Sequence, residues 1–263
     1  MRSALWLPLF NELADPIVLT RLAAEAEEAG WDGVFVWDHT NWHGLEVADP
    51  WIVMAAMAQA TSTVRLGPMV MPLARRRPAK VARETATLDR LSGGRLVLGV
   101  GLGSDRYGSE YSAFGEETDD RRRAEMLDES LAILAAAWSG EPVHHHGTHF
   151  TIDGIPFLPT PAEKVPVWAA GYPGKIKPMR RAANLDGFFP VNLTKPDELA
   201  EAIAPLVTLR EGRTGPYDIA VALPADADVP AFAQAGATWW LAEFDHENTS
   251  AADVRAVLRN GPA

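Results

Sequence analysis

The stretch that decides the fold is Thr87-Leu88-Asp89-Arg90-Leu91-Ser92-Gly93-Gly94-Arg95-Leu96-Val97-Leu98-Gly99-Val100-Gly101-Leu102-Gly103. Its first part completes a helical pattern over Pro78–Leu91, and Ser92-Gly93-Gly94 supplies a turn. Arg95–Val100 is a short apolar run typical of a buried parallel strand, and alternating glycines follow it at once. A helix, a glycine turn and a buried strand in this order predict an α/β protein with parallel strands.

The same alternation of short β-type runs and longer helical patterns extends over the whole sequence. The other predicted strands are Ala4–Phe10, Asp32–Trp37, Val64–Val70, Pro166–Ala170, Gly187–Val191, Tyr217–Leu223 and Ala237–Phe244. The other predicted helices are Asp15–Ala29, Asp49–Thr61, Asp119–Ser139, Lys175–Asn184, Pro196–Arg210, Val229–Ala235 and Ser250–Arg259. Eight βα units in 263 residues predict a single (β/α)8 TIM barrel over residues 1–263. A small excursion, interpreted as a hairpin, is expected at about 142–158, and a doubly wound sheet is the competing architecture.

The composition narrows the classes of function. The chain has 24 Lys and Arg against 35 Asp and Glu, and a net charge of −11 disfavours a nucleic acid partner. It has no cysteine, which excludes disulfides, thiolate metal sites and cysteine nucleophiles. It also has no apolar run of about 18 residues and no signal-peptide cleavage pattern, so we expect a cytoplasmic protein without a membrane partner.

The glycine-rich end of the fourth predicted strand is not a dinucleotide fingerprint. A G-x-G-x-x-G pattern from Gly99 or Gly101 would require glycine at position 104 or 106, where the chain has Ser104 and Arg106. Two interpretations stay open for the alternating glycines. Either a ligand approaches the backbone closely, or the barrel interior is crowded at this point.

Three further stretches contain groups that could carry chemistry. His39 could act as a general base, a proton donor or a hydrogen-bonding anchor, with Asp38 as its candidate orienting partner, or it could be structural. The loop Gly171–Lys175 is either a phosphate cradle at a helix start or a plain connection. His144–His146 and His149 do not predict a metal site, because adjacent strand residues point to opposite faces and no carboxylate lies at ligand spacing.

Residues 87–103 resemble the luciferase-like monooxygenase family, and other stretches agree in the expected order over about residues 1–245. The second predicted strand with its flanks, Gly30–His39, resembles the family's second strand, and Leu66–Val70 resembles its third. The turn Trp138–Val143 resembles the end of the family's long helix, and Arg180–Gly187 resembles the approach to its sixth strand.

This resemblance implies a bacterial luciferase-like TIM barrel that binds FMN or coenzyme F420 at the carboxyl ends of its strands. It implies a non-prolyl cis peptide at Met69–Val70 that supports the cofactor ring, and it places His39 near the reactive face as the catalytic residue. It further implies that backbone groups at Gly101, Leu102, Gly103 and Ser104, and at Gly171, Tyr172, Gly174 and Lys175, hold the cofactor phosphate. Leu102 stands where luciferases have a phosphate-binding arginine, so Lys175 is expected to supply that charge. Phe10, Asn11 and Trp42 are the expected substrate-pocket residues.

The expected function is an FMN- or F420-dependent oxidoreductase acting on a small organic substrate, with monooxygenase activity as the family default. Ser104 replaces an acid found in F420-dependent sugar-phosphate dehydrogenases, which weakens the expectation of that subclass. The alternative is a non-catalytic cofactor-binding or partner-subunit barrel of the same fold. A carboxylate-based hydrolase would need paired acids at strand ends, and only Asp38, Asp105 and Glu243 lie there, on distant strands. The expected partners are a small-molecule substrate, a second copy of the chain and a separate flavin or F420 reductase.

Overall fold

The computed structural model describes residues 1–106 and 108–262. Within them the strands are β1 (Arg2–Leu7), β2 (Gly33–Val36), β3 (Arg65–Pro68), β4 (Met71–Pro72), β5 (Leu98–Gly101), β6 (Val143–His146), β7 (Thr151–Ile155), β8 (Val167–Gly171), β9 (Gly187–Pro190), β10 (Asp218–Pro224) and β11 (Trp239–Glu243). The α-helices are α1 (Pro16–Glu28), α2 (Pro50–Ala60), α3 (Pro78–Ser92), α4 (Asp120–Ala137), α5 (Ile176–Ala183), α6 (Pro196–Leu209), α7 (Val229–Gln234) and α8 (Ala251–Asn260).

The parallel strands close into a barrel. Their order is β3-β2-β1-β11-β10-β9-β8-β5-β4, and β3 and β4 are two parts of one interrupted strand. The amide of Leu66 in β3 donates to the carbonyl of Arg95 (3.2 Å), and the amide of Val97 donates to the carbonyl of Leu66 (2.9 Å). These bonds join the two ends of the sheet, so the predicted TIM barrel is confirmed. The third strand differs from its predicted extent, because its ladder breaks after Pro68 and resumes at Met71.

The barrel interior is filled by side chains from alternate positions of the strands. Phe35, Trp168 and Trp239 pack there with ring centroids 5.5 to 5.8 Å apart. The intervening positions, such as Leu5 and Leu7 of β1, face the helices instead. The two-residue period of the strands therefore separates an inner and an outer apolar layer.

In the stretch at residues 87–103, a buried arginine connects two turns of the barrel. Helix α3 ends at Gly93, whose φ of 70° is left-handed, and Arg95 follows in a buried position. Its guanidinium donates to the carbonyls of Ala58, Thr61 and Val64 at 2.8 to 2.9 Å. These are carbonyls at and beyond the end of α2, which lack helical partners. Arg95 thus ties the α3–β5 turn to the α2–β3 turn.

Two helices begin as their Asp-Pro pairs predict. The carboxylate of Asp15 accepts from the amide of Ile17 (2.8 Å), and that of Asp49 accepts from the amide of Ile52 (3.0 Å). Proline occupies the first helical position in both cases, where its missing N–H costs nothing.

The excursion at about 142–158 contains the antiparallel hairpin β6–β7, between α4 and β8. Its histidines contact single carboxylates: His145 lies 3.3 Å from Glu129 and His149 lies 3.4 Å from Glu125. Among the described residues, no group of three His, Cys, Asp or Glu could hold a metal ion. No helix in the described ranges is long and apolar enough to cross a membrane. The single-domain organisation stays a prediction, and its range includes Tyr107 and Ala263, which lie outside the described residues.

Candidate active site

The carboxyl ends of the parallel strands meet at one end of the barrel, which we call the barrel mouth. The residues predicted to form the site all lie at this end: Phe10 and Asn11 after β1, His39 and Trp42 after β2, Met69 and Val70 between β3 and β4, Gly101 to Ser104 at the end of β5, and Gly171 to Lys175 at the end of β8. The closed sheet therefore brings them to one end of the molecule, although they are far apart in the sequence.

His39 is held by a carboxylate that comes from a distant loop. Its Nδ1 lies 2.8 Å from Oε2 of Glu110, and the amides of Thr40 and Asn41 donate to the other oxygen of Glu110. Because an ionised carboxylate only accepts hydrogen bonds, Nδ1 carries the proton and Nε2 is the free nitrogen of the neutral ring. The side chain of His39 is 21% exposed, and a cavity of about 390 Å³ opens beside it.

Glu110 is buried and stays ionised because of its partners. Burial alone would raise its pKa, but the hydrogen bond and charge of His39 and the charge of Arg75 outweigh burial and lower it. Nη1 of Arg75 lies 2.8 Å from Oε2 of Glu110, and the Arg75 side chain is only 5% exposed. The three side chains form a relay in which the buried Arg75 pairs with Glu110 and Glu110 holds the partly exposed His39.

Asp38 is not the orienting partner of His39. Its carboxylate is paired with two arginines, Nη2 of Arg75 at 3.0 Å and Nε of Arg76 at 3.0 Å. The sequence identified Asp38 as the candidate because it is adjacent, whereas the actual partner, Glu110, is 71 residues away. No local pattern of the sequence identifies Glu110. Arg75 and Arg76 are two of three consecutive arginines, a pattern that does not indicate their partners.

Aromatic rings surround His39. Trp42 lies at 4.6 Å from its ring centroid, and Phe10 and Trp37 lie at 5.7 and 5.8 Å. Phe10 and Trp42 are buried and stack on each other at 5.1 Å, so they pack against His39 and present little accessible surface. Asn11 adopts a φ of 51°, and its side-chain Nδ2 donates to the carbonyl of Glu247 (3.1 Å).

A non-prolyl cis peptide joins Met69 to Val70, as the resemblance implied. The carbonyl of Met69 accepts from Nε1 of Trp6 (2.5 Å), and its amide donates to the carbonyl of Val36 (2.7 Å). Val70 lies beside Gly101, where an added Cβ would come within 3.0 Å of the Val70 side chain. The bond is thus anchored to β1 and β2 and faces the end of β5.

A close contact with Tyr111 requires glycine at position 103, in the turn after β5. Gly103 has a φ of 72°, and an added Cβ would lie 1.9 Å from the hydroxyl of Tyr111. That hydroxyl donates to the carbonyl of Leu102 (3.1 Å), and the hydroxyl of Ser104 accepts from the amide of Arg106 (3.2 Å). Crowding therefore explains Gly103. The amides of Gly103 and Ser104 nevertheless donate to no acceptor among the described residues, so they stay available to a ligand.

The turn after β8 leads into a helix without a side-chain cap. Gly174 has a φ of 74°, Lys175 is exposed, and within residues 1–106 and 108–262 no side chain caps the start of α5. Strand β8 pairs with β5 through Val100 and Ala169, so this turn lies beside the turn after β5. Free amides at a helix start, a lysine and a neighbouring glycine turn have the donor chemistry that a phosphate group requires. The residues present therefore fit the phosphate end of a flavin-type cofactor.

A closed barrel with this mouth and a non-prolyl cis peptide after its third strand defines the class of protein. The family model for luciferase-like monooxygenases matches residues 11–256, and the chain belongs to that family.

Similar proteins include two F420-dependent glucose-6-phosphate dehydrogenases. The protein from Amycolatopsis mediterranei (strain U-32) is 35% identical over 179 residues, which are 66% of this chain and 53% of that protein. The protein from Gordonia bronchialis is 32% identical over 203 residues, which are 74% of this chain and 59% of that protein. The chain thus spans little more than half the length of these curated relatives.

Solved structures show the same fold. An F420-dependent secondary alcohol dehydrogenase in complex with an F420–acetone adduct superposes with a TM-score of 0.81 at 22% identity, covering 98% of this chain and 96% of that chain. The oxygenating constituent of 3,6-diketocamphane monooxygenase from Pseudomonas putida, in complex with FMN, gives 0.71 at 20% identity, covering 85% and 67%.

Proposed function

We propose that this protein is an oxidoreductase that uses a flavin-type cofactor, F420 in preference to FMN, on a small organic substrate. The observation that carries the proposal is the relay of His39, Glu110 and Arg75 at the barrel mouth, where a side chain able to move a proton is held in one tautomer. The preference for F420 is supported by the names of the sequence relatives at 31 to 35% identity.

The chain itself contains no redox-active cysteine, so F420 or FMN, when bound, supplies the electron transfer. His39 accepts or returns a proton at Nε2, because its Nδ1 is committed to Glu110. The ionised Glu110 stabilises the imidazolium that forms, and Arg75 keeps Glu110 ionised. The rings around His39 exclude water from one side of it.

The cofactor would be held at three places. The Met69–Val70 segment would support the ring, and the free amides of Gly103 and Ser104 would contact the phosphate. The uncapped start of α5 and Lys175 would supply the remaining positive potential. This leaves the face of the mouth near His39 for the substrate.

Titration of the purified chain with F420, FMN and reduced FMN tests the proposal. Binding stabilises the folded state by RT ln(1+[L]/Kd), about 2.7 kcal/mol at a hundredfold excess over Kd, and so raises the melting temperature. We expect the largest rise with F420. A rise with FMN alone would make this a flavin enzyme, and no change with any of the three would reject the cofactor proposal and favour the partner-subunit alternative. The homo-oligomer, the separate reductase and the cytoplasmic location stay predictions.

A further inference from the structure

Glu243 ends the last barrel strand on the side that faces the barrel interior. Trp239 and Leu241, at the two preceding positions of the same parity, belong to the inner apolar layer, whereas Trp240 and Ala242 face the helices. Glu243 is in register with Trp6 of β1, which packs against the same inner layer. The strand period therefore places the Glu243 carboxyl one layer above Leu241, at the barrel mouth.

No described residue donates a hydrogen bond to this carboxyl group or forms an ion pair with it. It is accessible from the mouth but has protein on its other sides, and this burial raises the pKa of Glu243, while the charge of His246 lowers it. The neighbouring strands contribute Trp6 and Pro224, which carry no charge. The Glu243 side chain is nevertheless exposed, so its carboxylate, placed at the mouth and without a hydrogen-bond donor among the described residues, is free to accept a hydrogen bond from a ligand.

Partly exposed rings lie at the same end of the barrel, next to the end of β11. Trp37 lies 4.9 Å from Trp6 between ring centroids and stacks on His246 at 5.6 Å with an interplanar angle of 26°. These three rings, which we call the aromatic wall, retain accessible surface, unlike the buried Phe10 and Trp42. Flat, accessible ring faces favour contact with a planar molecule.

Arg75 and Arg76, the arginines that contact the Asp38–His39 loop, are already paired with carboxylates. Arg75 is paired with Asp38 and Glu110, and Arg76 is paired with Asp38. A phosphate ester at the aromatic wall would therefore meet the Glu243 carboxylate without gaining either arginine, and like charges repel strongly in a partly desolvated site.

We propose that Glu243 and the aromatic wall form a substrate subsite that takes a planar organic alcohol or amine and rejects phosphate esters. The substrate lies against the wall and donates a hydrogen bond to the Glu243 carboxylate. The inference rests on the proposed function for the identity of the site as an active site. The class of substrate differs from the phosphorylated sugar in the names of the sequence relatives.

Calorimetric titration of the full chain, with and without saturating F420, tests the subsite. The probes are 2-naphthylmethanol, 2-naphthylmethylamine and 2-naphthyl phosphate, which share one ring system, and glucose 6-phosphate. We expect the amine and the alcohol to bind more tightly than both phosphates. Glu243→Gln should weaken binding of the amine by about tenfold, because a charge-assisted hydrogen bond is lost. The difference in affinity between the amine and naphthyl phosphate should therefore become smaller. Glu201 is an exposed carboxylate on α6. Glu201→Gln removes the same charge and should change neither the affinity for the amine nor its difference from that for naphthyl phosphate.

A second readout separates this role from a structural one. Because burial disfavours the ionised carboxyl, Glu243→Gln should melt at the same or a higher temperature than the parent at neutral pH. The inference is overturned if the phosphates bind as tightly as the alcohol, if no probe binds in either arm, or if Glu243→Gln leaves all affinities unchanged. The arm without F420 does not depend on the cofactor, so failure of F420 to bind would reject the proposed function and leave this test to be decided by that arm.

Discussion

His39 presents only Nε2 to the barrel mouth, because Nδ1 is bound to Glu110 at 2.8 Å. A histidine held in this way has a defined tautomer, which a free surface histidine lacks. Glu110 reaches it from a loop after β5, and Arg75 reaches Glu110 from the loop after β4. The chemistry of one side chain therefore depends on two residues that the sequence does not place beside it.

Removal of the imidazole should affect turnover more than cofactor binding. We expect His39→Ala to lower the rate of cofactor oxidation or reduction by about 10²- to 10⁴-fold, the usual contribution of a positioned acid or base. The affinity for F420 or FMN, followed by fluorescence titration, should change by less than about threefold, because the phosphate and ring contacts lie elsewhere. His144→Ala, an exposed histidine of the hairpin, is the matched control. An unchanged rate in His39→Ala would exclude a catalytic role.

Neutralising Glu110 should destabilise the protein. Glu110→Gln leaves the guanidinium of Arg75 buried with one of its two anions removed, which typically costs about 3–5 kcal/mol. Urea unfolding at neutral pH measures the loss. Glu116→Gln changes an exposed carboxylate nearby and should stay within about 0.5 kcal/mol of the parent. Equal unfolding midpoints for both variants would contradict the ion-pair role of Glu110.

At the scale of elements, α3 and β5 are joined by a turn whose arginine also holds the neighbouring unit. Arg95 binds the carbonyls of Ala58, Thr61 and Val64, so the end of α2 and the start of β3 are fixed by a residue of the next βα unit. This explains why the stretch at 87–103 is so specific to the fold.

Lysine should not replace Arg95. A lysine has three donors on one atom and cannot span carbonyls that the planar guanidinium reaches from Nη1 and Nη2, so buried acceptors would lose their donors. We expect Arg95→Lys to lower the free energy of unfolding by about 3 kcal/mol, measured by urea denaturation. Arg90→Lys, an exposed change on α3, should have an effect below about 0.5 kcal/mol. An unchanged free energy of unfolding in Arg95→Lys would show that the contacts with the carbonyls add little to stability.

We expect Lys175, at the start of α5, to contribute to binding of the cofactor phosphate and not to binding of its ring. Lys175→Ala removes the charge beside the uncapped amides and should weaken FMN or F420 binding by about two- to fivefold, the usual contribution of one exposed charge at a helix end. Riboflavin, which has the ring without the phosphate, should bind equally to both proteins. Lys177→Ala, exposed on the same helix, is the control. Equal FMN affinities for Lys175→Ala and the parent would show that Lys175 does not contribute to binding of the phosphate.

At the scale of the whole molecule, ionised carboxylates hold several loops to the barrel. Glu27 at the end of α1 accepts from the amides of Ser62, Thr63 and Val64 in the turn before β3. Burial alone would raise its pKa, but these hydrogen bonds outweigh burial and lower the pKa from 4.5 to about 2. The hydrogen bond with His145 and hydrogen bonds from backbone amides likewise lower the pKa of Glu129 beside the hairpin, against burial.

The protein should therefore lose stability in acid in a defined range. Because the pKa of Glu27 is lower in the folded state, its contribution is fully present above about pH 4.5 and is lost as the pH falls toward about 2. Urea midpoints measured from about pH 5 down to about pH 2 should fall less steeply for Glu27→Gln than for the parent. Glu28→Gln, exposed at the end of the same helix, should follow the parent curve. Parallel curves for the parent and Glu27→Gln would rule out this contribution.

The order of the strands and helices was readable from the sequence, because it depends on local periodicity, on Asp-Pro helix starts and on glycine turns. Only the tertiary structure could show that Glu110 and not Asp38 holds His39, because that choice depends on how separate loops meet at the barrel mouth. The same holds for Gly103, where two interpretations were open until Tyr111 was seen to fill the space.

The sequence by itself predicted a barrel of eight βα units, because helix and strand patterns lie in short contiguous stretches, and its resemblance to the luciferase-like family implied the cis peptide at Met69–Val70. The tertiary structure decided which charges are paired and which are not. Arg75 and Arg76 are paired with carboxylates, whereas the Glu243 carboxyl has no hydrogen bond or ion pair within the described residues. These pairings follow from the closure of the sheet, which brings the ends of distant strands together at distances that sequence spacing does not encode.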